Sequence, residues 1–165
     1  MSAAMAELLR PERTYYLFDS FEGLPPARAD VDGAAAIAYQ ANPANPLYYD
    51  NCRASFEEAD AVMRRAGVPS YRLIKGWHKD TLKDFVPTRP IAVLRLDSDW
   101  YDSTMECLTA LYPHVCAGGL ILIDDYYGWD GCARAVHDFL SREALPDHLC
   151  QSPAGTSYIV KRSAA

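Results

Sequence analysis

No stretch of this sequence is apolar for the roughly 20 residues that a helix needs to cross a bilayer, so none reads as a membrane span. The opening residues lack a positively charged lead into an apolar block, so a secretory signal is not evident and a cytoplasmic location is the expectation. Cysteines number five, an odd count, and no two are spaced as CxxC. That argues against a zinc knuckle or a thioredoxin-type redox pair. It leaves Cys52, Cys107, Cys116, Cys132 and Cys150 as reduced thiols packed like small apolar residues. Basic charge is also short. With 16 Lys and Arg against 22 Asp and Glu, the net charge is −6, which argues against a broad nucleic-acid footprint. Repeats and low-complexity tracts are missing as well.

What remains is a chain of 165 residues, half of them apolar, enough for one domain with a real core. Thr14 to Phe18 (TYYLF) is aromatic and β-favouring, and it stops at Asp19. Gly23 to Pro46 has no sustained period and reads as a long loop, with a helical turn around Ala34 to Tyr39. Ser55 and Glu58 form a capping box for a helix whose face carries Phe56, Ala59, Met63 and Ala66, ended by Gly67 and Pro69. Tyr71 to Ile74 is a second strand and Ile91 to Leu96 (IAVLRL) a third. Ser103 and Glu106 read as another capping box. Met105, Leu108, Tyr112 and Val115 follow at helical spacing, with Gly118 and Gly119 as the stop. Leu120 to Ile123 (LILI) suits a central parallel strand covered on both faces. Cys132, Val136, Phe139 and Leu140 stripe a further helix, and His148 to Ser152 with Thr156 to Lys161 suit a closing strand pair. Strands alternating with helices predict an α/β fold with a mostly parallel sheet.

The acids fall at strand ends. Asp19 follows TYYLF, Asp97 follows IAVLRL, and Asp124 and Asp125 follow LILI. Ligands of open α/β sheets bind outside the carboxyl ends of the strands, so these acids are predicted to share one rim. An aspartate at a single strand end is ordinary punctuation; several at one rim point to a site. Asp97, Asp124 and Asp125 suit a hard divalent cation such as magnesium, which also relieves their mutual repulsion. Asp99 is read as an outer partner or a helix cap. Asp19 suits the two hydroxyls of a ribose, and Phe21 an adenine ring, with a loop start and a core plug as the alternatives.

The segments FDSFEGLP (Phe18 to Pro25), KGWHKDTL (Lys75 to Leu82), LRLDSDWYDST (Leu94 to Thr104) and LYPHVCAGGLILIDDY (Leu111 to Tyr126) resemble the macrocin O-methyltransferase family. That family methylates sugar hydroxyls on macrolides and related natural products. The resemblance implies a Rossmann-like methyltransferase fold, S-adenosylmethionine as methyl donor and a magnesium site. It further implies Asp97, Asp124 and Asp125 as metal ligands, Asp19 and Ser20 at the cofactor ribose, and Gly76 and Trp77 near the adenine. The partner is then a small glycosylated substrate; whether copies of the chain associate stays open. Such enzymes carry a strand and a glycine-rich turn upstream of FDSFEGLP. Only 13 residues precede TYYLF here, none of them glycine, so a single, partial domain lacking that strand is expected, and with it an inactive or weak chain.

For the proton, Asp97 is the expected acceptor as well as a ligand. In catechol-type methyltransferases a lysine lies three residues beyond the equivalent aspartate, and here that position is Trp100. His78 is the rival base, because an unperturbed imidazole titrates near neutrality. Trp77, Trp100, Trp129, Tyr126 and Tyr127 suit either an aromatic wall for a sugar face or packing. Two other classes compete: a glycosyltransferase or phosphatase reading Asp97 and Asp99 as a metal-binding DxD, and a non-catalytic half-domain. Neither enzyme rival accounts for FDSFEGLP or the later acid pair.

Overall fold

The structure, a computed structural model, describes residues 2–9 and 13–163. Its elements in order are α1 (Ser2–Leu9), β1 (Tyr15–Asp19), α2 (Gly33–Ala41), α3 (Phe56–Arg65), β2 (Tyr71–Lys75), the single turn α4 (His78–Thr81) and β3 (Ile91–Leu96). Then come α5 (Tyr101–Leu111), β4 (Val115–Ile123), α6 (Asp130–Arg142), β5 (Leu149–Gln151) and β6 (Ser157–Val160). The strands form two ladders. β1 and β2 pair in parallel, and the other four run in the order β3-β4-β6-β5. β3 and β4 are parallel, and β6 is antiparallel to both neighbours, so β5 runs with β4. The expected α/β architecture with mostly parallel strands is what the chain adopts.

The main core lies between one face of the larger sheet and two helices. Leu94, Leu96, Ile121, Ile123 and Ile159 point from the strands onto Cys107, Leu108 and Leu111 of α5 and Cys132, Val136 and Phe139 of α6. Both helices bury residues at i, i+3, i+4 and i+7: Thr104, Cys107, Leu108 and Leu111 in one, Cys132, Ala135, Val136 and Phe139 in the other. A second cluster places Ala6 of α1 and Met63 of α3 with Val68 against Tyr15 and Leu17 of β1. Among the described residues no helix is long and apolar enough to cross a membrane.

The Ser55–Glu58 capping box is present in both directions, and Gly67 closes α3 with a positive φ of 65°. The capping box expected at Ser103 and Glu106 does not form. α5 begins three residues earlier than that cap implies, at Tyr101, and its first amide donates to Asp32 Oδ1 at 2.7 Å. The cap is therefore supplied across 69 positions of sequence, beyond the reach of local pattern. The helix also stops at Leu111 instead of running to Gly118. Pro113, which cannot donate a backbone hydrogen bond, lies in a 3₁₀ turn from Tyr112 to His114. Gly118 and Gly119 sit inside β4, where the pairing with β3 slips between Ile91 and Val93.

Candidate active site

The register of β3 on β4 aligns Leu96 with Ile123, and the Asp124 amide donates to the Leu96 carbonyl at 3.0 Å. Asp97 and Asp124 therefore leave adjacent strands at one level. Arg95 and Asp97 share a face of β3, and Leu122, the partner of Arg95, shares a face with Asp124. The Arg95 fork reaches both acids: Nη1 donates to Asp97 Oδ2 and Nη2 to Asp124 Oδ2, each at 2.6 Å. The carboxylates of both neighbours hold the guanidinium firmly charged against the cost of its burial.

Asp125 and Asp99 complete the group. The Asp99 amide lies 3.5 Å from Asp125 Oδ2. Burial, then the charges of Asp125 and Asp97, push the Asp99 carboxyl up to about 7. Burial and the charge of Asp97 lift Asp125 to about 6. From the sequence Asp99 reads as an outer partner or a helix cap, placed away from the other acids if β3 ran on to it, but β3 ends at Leu96 and the chain turns, with Asp99 at a positive φ of 45°. Asp99 thus belongs among the acids. The chemistry of this donor set, four carboxylates at one rim, fits a hard cation, and one cationic side chain already touches two of them. Among the described residues no three His, Cys, Asp or Glu side chains stand ready around one ion.

The residues expected at a nucleoside form a second group, at the end of β1 and β2. Asp19 pairs with Lys75 in register, and the Gly76 amide donates to the Asp19 carbonyl at 2.9 Å. The exposed Asp19 carboxylate accepts from the Phe21 amide at 2.6 Å. Ser20 is buried, donating to the Gly23 carbonyl and accepting from the Glu22 amide. Gly76 has φ of 143°, and a Cβ there would lie 2.8 Å from Thr81 Cγ2, so the position suits only glycine. Trp77 precedes α4, its carbonyl accepting from the Asp80 and Thr81 amides. Phe21 is buried, 8% exposed, and its ring packs edge-on against Phe56 at 5.2 Å, the arrangement of the core-plug alternative. The left-handed backbone at Phe21 turns it inward.

His78, the rival base, lies in α4, between β1 and α5. Its Nδ1 lies 3.3 Å from the buried Cys107 thiol, its ring is hydrogen-bonded to the Phe18 backbone, and burial holds its pKa below the usual histidine value. It joins β1 to α5, and Asp19 is the acid whose charge reaches it. Trp100 is a core residue, 1% exposed and donating to the Pro25 carbonyl at 2.8 Å. Trp129 packs edge-on between Trp100 and Tyr39, with ring centroids at 4.9 and 5.4 Å. Tyr127 stays exposed beside Tyr126, whose hydroxyl is 2.7 Å from His137 Nε2.

Two features escaped the sequence reading. In sequence Arg95 reads as part of a strand, although an arginine in an otherwise apolar IAVLRL is a visible signal. The segment from Gly23 to Arg53 is the other. It is fastened over the start of α5 and α6 by Asp32, by Arg28 on Asp102 at 2.8 Å, and by Arg134 on the Asp30 carbonyl at 2.7 Å. Its turn at Asp50 to Cys52 comes near the acid rim: burial first, and then the charges of Asp99, Asp125 and Asp97, raise the Cys52 thiol.

The profile of the family described as macrocin-O-methyltransferase (TylF) matches residues 1–158. The chain is 35% identical over 156 residues to 8-demethyl-8-(2,3-dimethoxy-alpha-L-rhamnosyl)-tetracenomycin-C 4'-O-methyltransferase of Streptomyces olivaceus, covering 93% of this chain and 56% of that protein. It is 34% identical over 147 residues to mycinamicin III 3''-O-methyltransferase of Micromonospora griseorubida, covering 85% and 54%. Among solved structures, the O-methyltransferase NovP superposes with a TM-score of 0.77 at 31% identity, over 98% of this chain and 66% of that one. The calicheamicin methyltransferase CalS11 gives 0.68 at 20% identity, over 96% and 65%, a likeness of fold. The chain spans about half the length of the curated relatives that it matches.

Proposed function

Because the chain belongs to the macrocin O-methyltransferase family, we propose that it serves the transfer of a methyl group from S-adenosylmethionine to a sugar hydroxyl of a glycosylated small molecule. In this reading magnesium sits at Asp97, Asp124 and Asp125. The observation that supports it is the meeting of those acids at paired strand ends, close enough for one guanidinium to touch two of them.

A divalent cation supplies Lewis acidity toward hydroxyl oxygens, and a sulfonium cofactor supplies the methyl group. The chain's own residues do the rest. Asp97, half exposed at the rim, takes the proton that the sugar hydroxyl gives up on methylation. Asp99 and Asp125, both shifted toward neutrality, add negative charge only as they ionise, and so make the rim a stronger cation trap as pH rises. Asp19 offers an exposed carboxylate to a ribose, and Gly76 keeps the adjoining backbone open. Holding the hydroxyl and the methyl donor in line is where fixed strand ends contribute most.

The test supplies the chain with labelled S-adenosylmethionine, magnesium and macrolides bearing deoxysugars with neighbouring hydroxyls. Any label that enters the sugar should be lost on chelation. In Asp97→Asn the rate should fall by about 10² to 10⁴. Transfer that survives complete chelation sinks the metal assignment, and failure of the chain to bind S-adenosylmethionine in a calorimeter sinks the cofactor assignment.

A further inference from the structure

Among the described residues, Arg95 alone forms ion pairs with two of the acids assigned to the metal. Its own side chain is 16% exposed, against 52% for Asp97 and 33% for Asp124. It therefore rises from within the sheet to the level of the rim, with one arm of its fork on each acid. Among the described residues, no other Lys or Arg forms an ion pair with Asp97, Asp99, Asp124 or Asp125. Four carboxylates at one rim need a counter-charge, and Arg95 provides it.

The geometry points to Arg95 as a resident counter-cation with which a divalent ion must compete; this rests on the metal reading above. Magnesium draws its oxygens to about 2.1 Å around a single centre. A guanidinium whose two nitrogens each hold a different carboxylate spreads those carboxylates across its own width. The two arrangements exclude one another at the same pair of oxygens, and two cations a few ångströms apart also repel. Binding then sets the ion against the fork's hold on one oxygen of each acid. Arg95 both stabilises the metal-free rim and weakens the metal's hold on it.

The two effects have opposite signs, which separates this role from a merely structural one. Manganese binding is measured by electron paramagnetic resonance in the native chain and in Arg95→Gln, Arg95→Lys and Asp97→Asn, with melting temperatures taken with and without manganese. Arg95→Gln should bind manganese on the order of tenfold more tightly, melt lower than the native chain without metal, and recover most of that loss when metal is added. Arg95→Lys keeps the charge but loses the fork, so its affinity should fall between the two; it serves equally if Arg95→Gln fails to fold. Unchanged or weaker binding in both variants, with Asp97→Asn abolishing it, overturns the inference and leaves the metal site standing. Binding untouched by Asp97→Asn overturns the metal reading and this inference together.

Discussion

Asp99 is the acid most at odds with its surroundings, because burial and two neighbouring charges all oppose its ionisation. Its folded-state pKa of about 7 lies above the unfolded value of about 4. The folded chain therefore binds this proton more tightly than the unfolded chain does. The resulting stability is fully present below about pH 4 and is lost as pH rises through about 7. In the absence of divalent metal, the native chain should lose several degrees of melting temperature between pH 5 and pH 8, and Asp99→Asn clearly less. Parallel loss in both proteins would show that another group carries the pH dependence. Three of the rim acids were legible as residues, since an acid directly after an apolar strand marks the carboxyl end of a sheet. Asp99 was not, because its place depends on a turn that strand alternation does not describe. The surroundings of Phe21 and His78 were hidden for a related reason. Residue type shows that a ring can stack or an imidazole can titrate, but only packing shows that Phe56 and Cys107 already occupy them.

At the scale of elements, the start of α5 rests on Asp32. This carboxylate is 2% exposed and accepts from the Tyr101 amide and the Arg28 amide, each at 2.7 Å. Asp32→Ala removes a helix cap and leaves two part-buried amides without their acceptor, at a cost of about 1 to 2 kcal/mol in urea unfolding. Gly131 tests the same junction from α6. A Cβ there would run into Asp32 Oδ1 and lie 2.9 Å from the Tyr101 amide nitrogen. Gly131→Ala should therefore destabilise the chain, although alanine is the better helix former at an unobstructed site; a rise in the urea midpoint would refute the close approach. The elements read correctly from sequence are those whose signals are local: the capping box of α3, the run of β3, the stripe of α6. Those that shifted depend on distant partners or on a single residue given too little weight, Asp32 at one end of α5 and Pro113 at the other.

For the molecule as a whole, the decisive feature is the division of its strands. β1 and β2 form a ladder separate from β3-β4-β6-β5, so among the described residues no sheet hydrogen bonds join the nucleoside-side residues to the acid rim. The alternation of strands and helices made the fold class legible, and the resemblance to a known family added a strand preceding β1. Neither revealed what links the two ladders. That link is made of side chains. Phe85 packs edge-on against Tyr16 at 5.1 Å and Phe18 at 4.9 Å, Leu82 enters the main core, and His78 meets Cys107. Packing of this kind is weaker and more local than a continuous ladder, so the two parts should open separately. Amides of β1 and β2 should exchange with deuterium well before those of β3 and β4. Phe85→Ala, which removes the ring between Tyr16 and Phe18, should speed exchange in β1 and β2 by about tenfold or more and barely alter β4. If all six strands instead exchange together, and Phe85→Ala accelerates them equally, the ladders open as one unit and the acids at the two strand ends are held together more rigidly than these contacts account for.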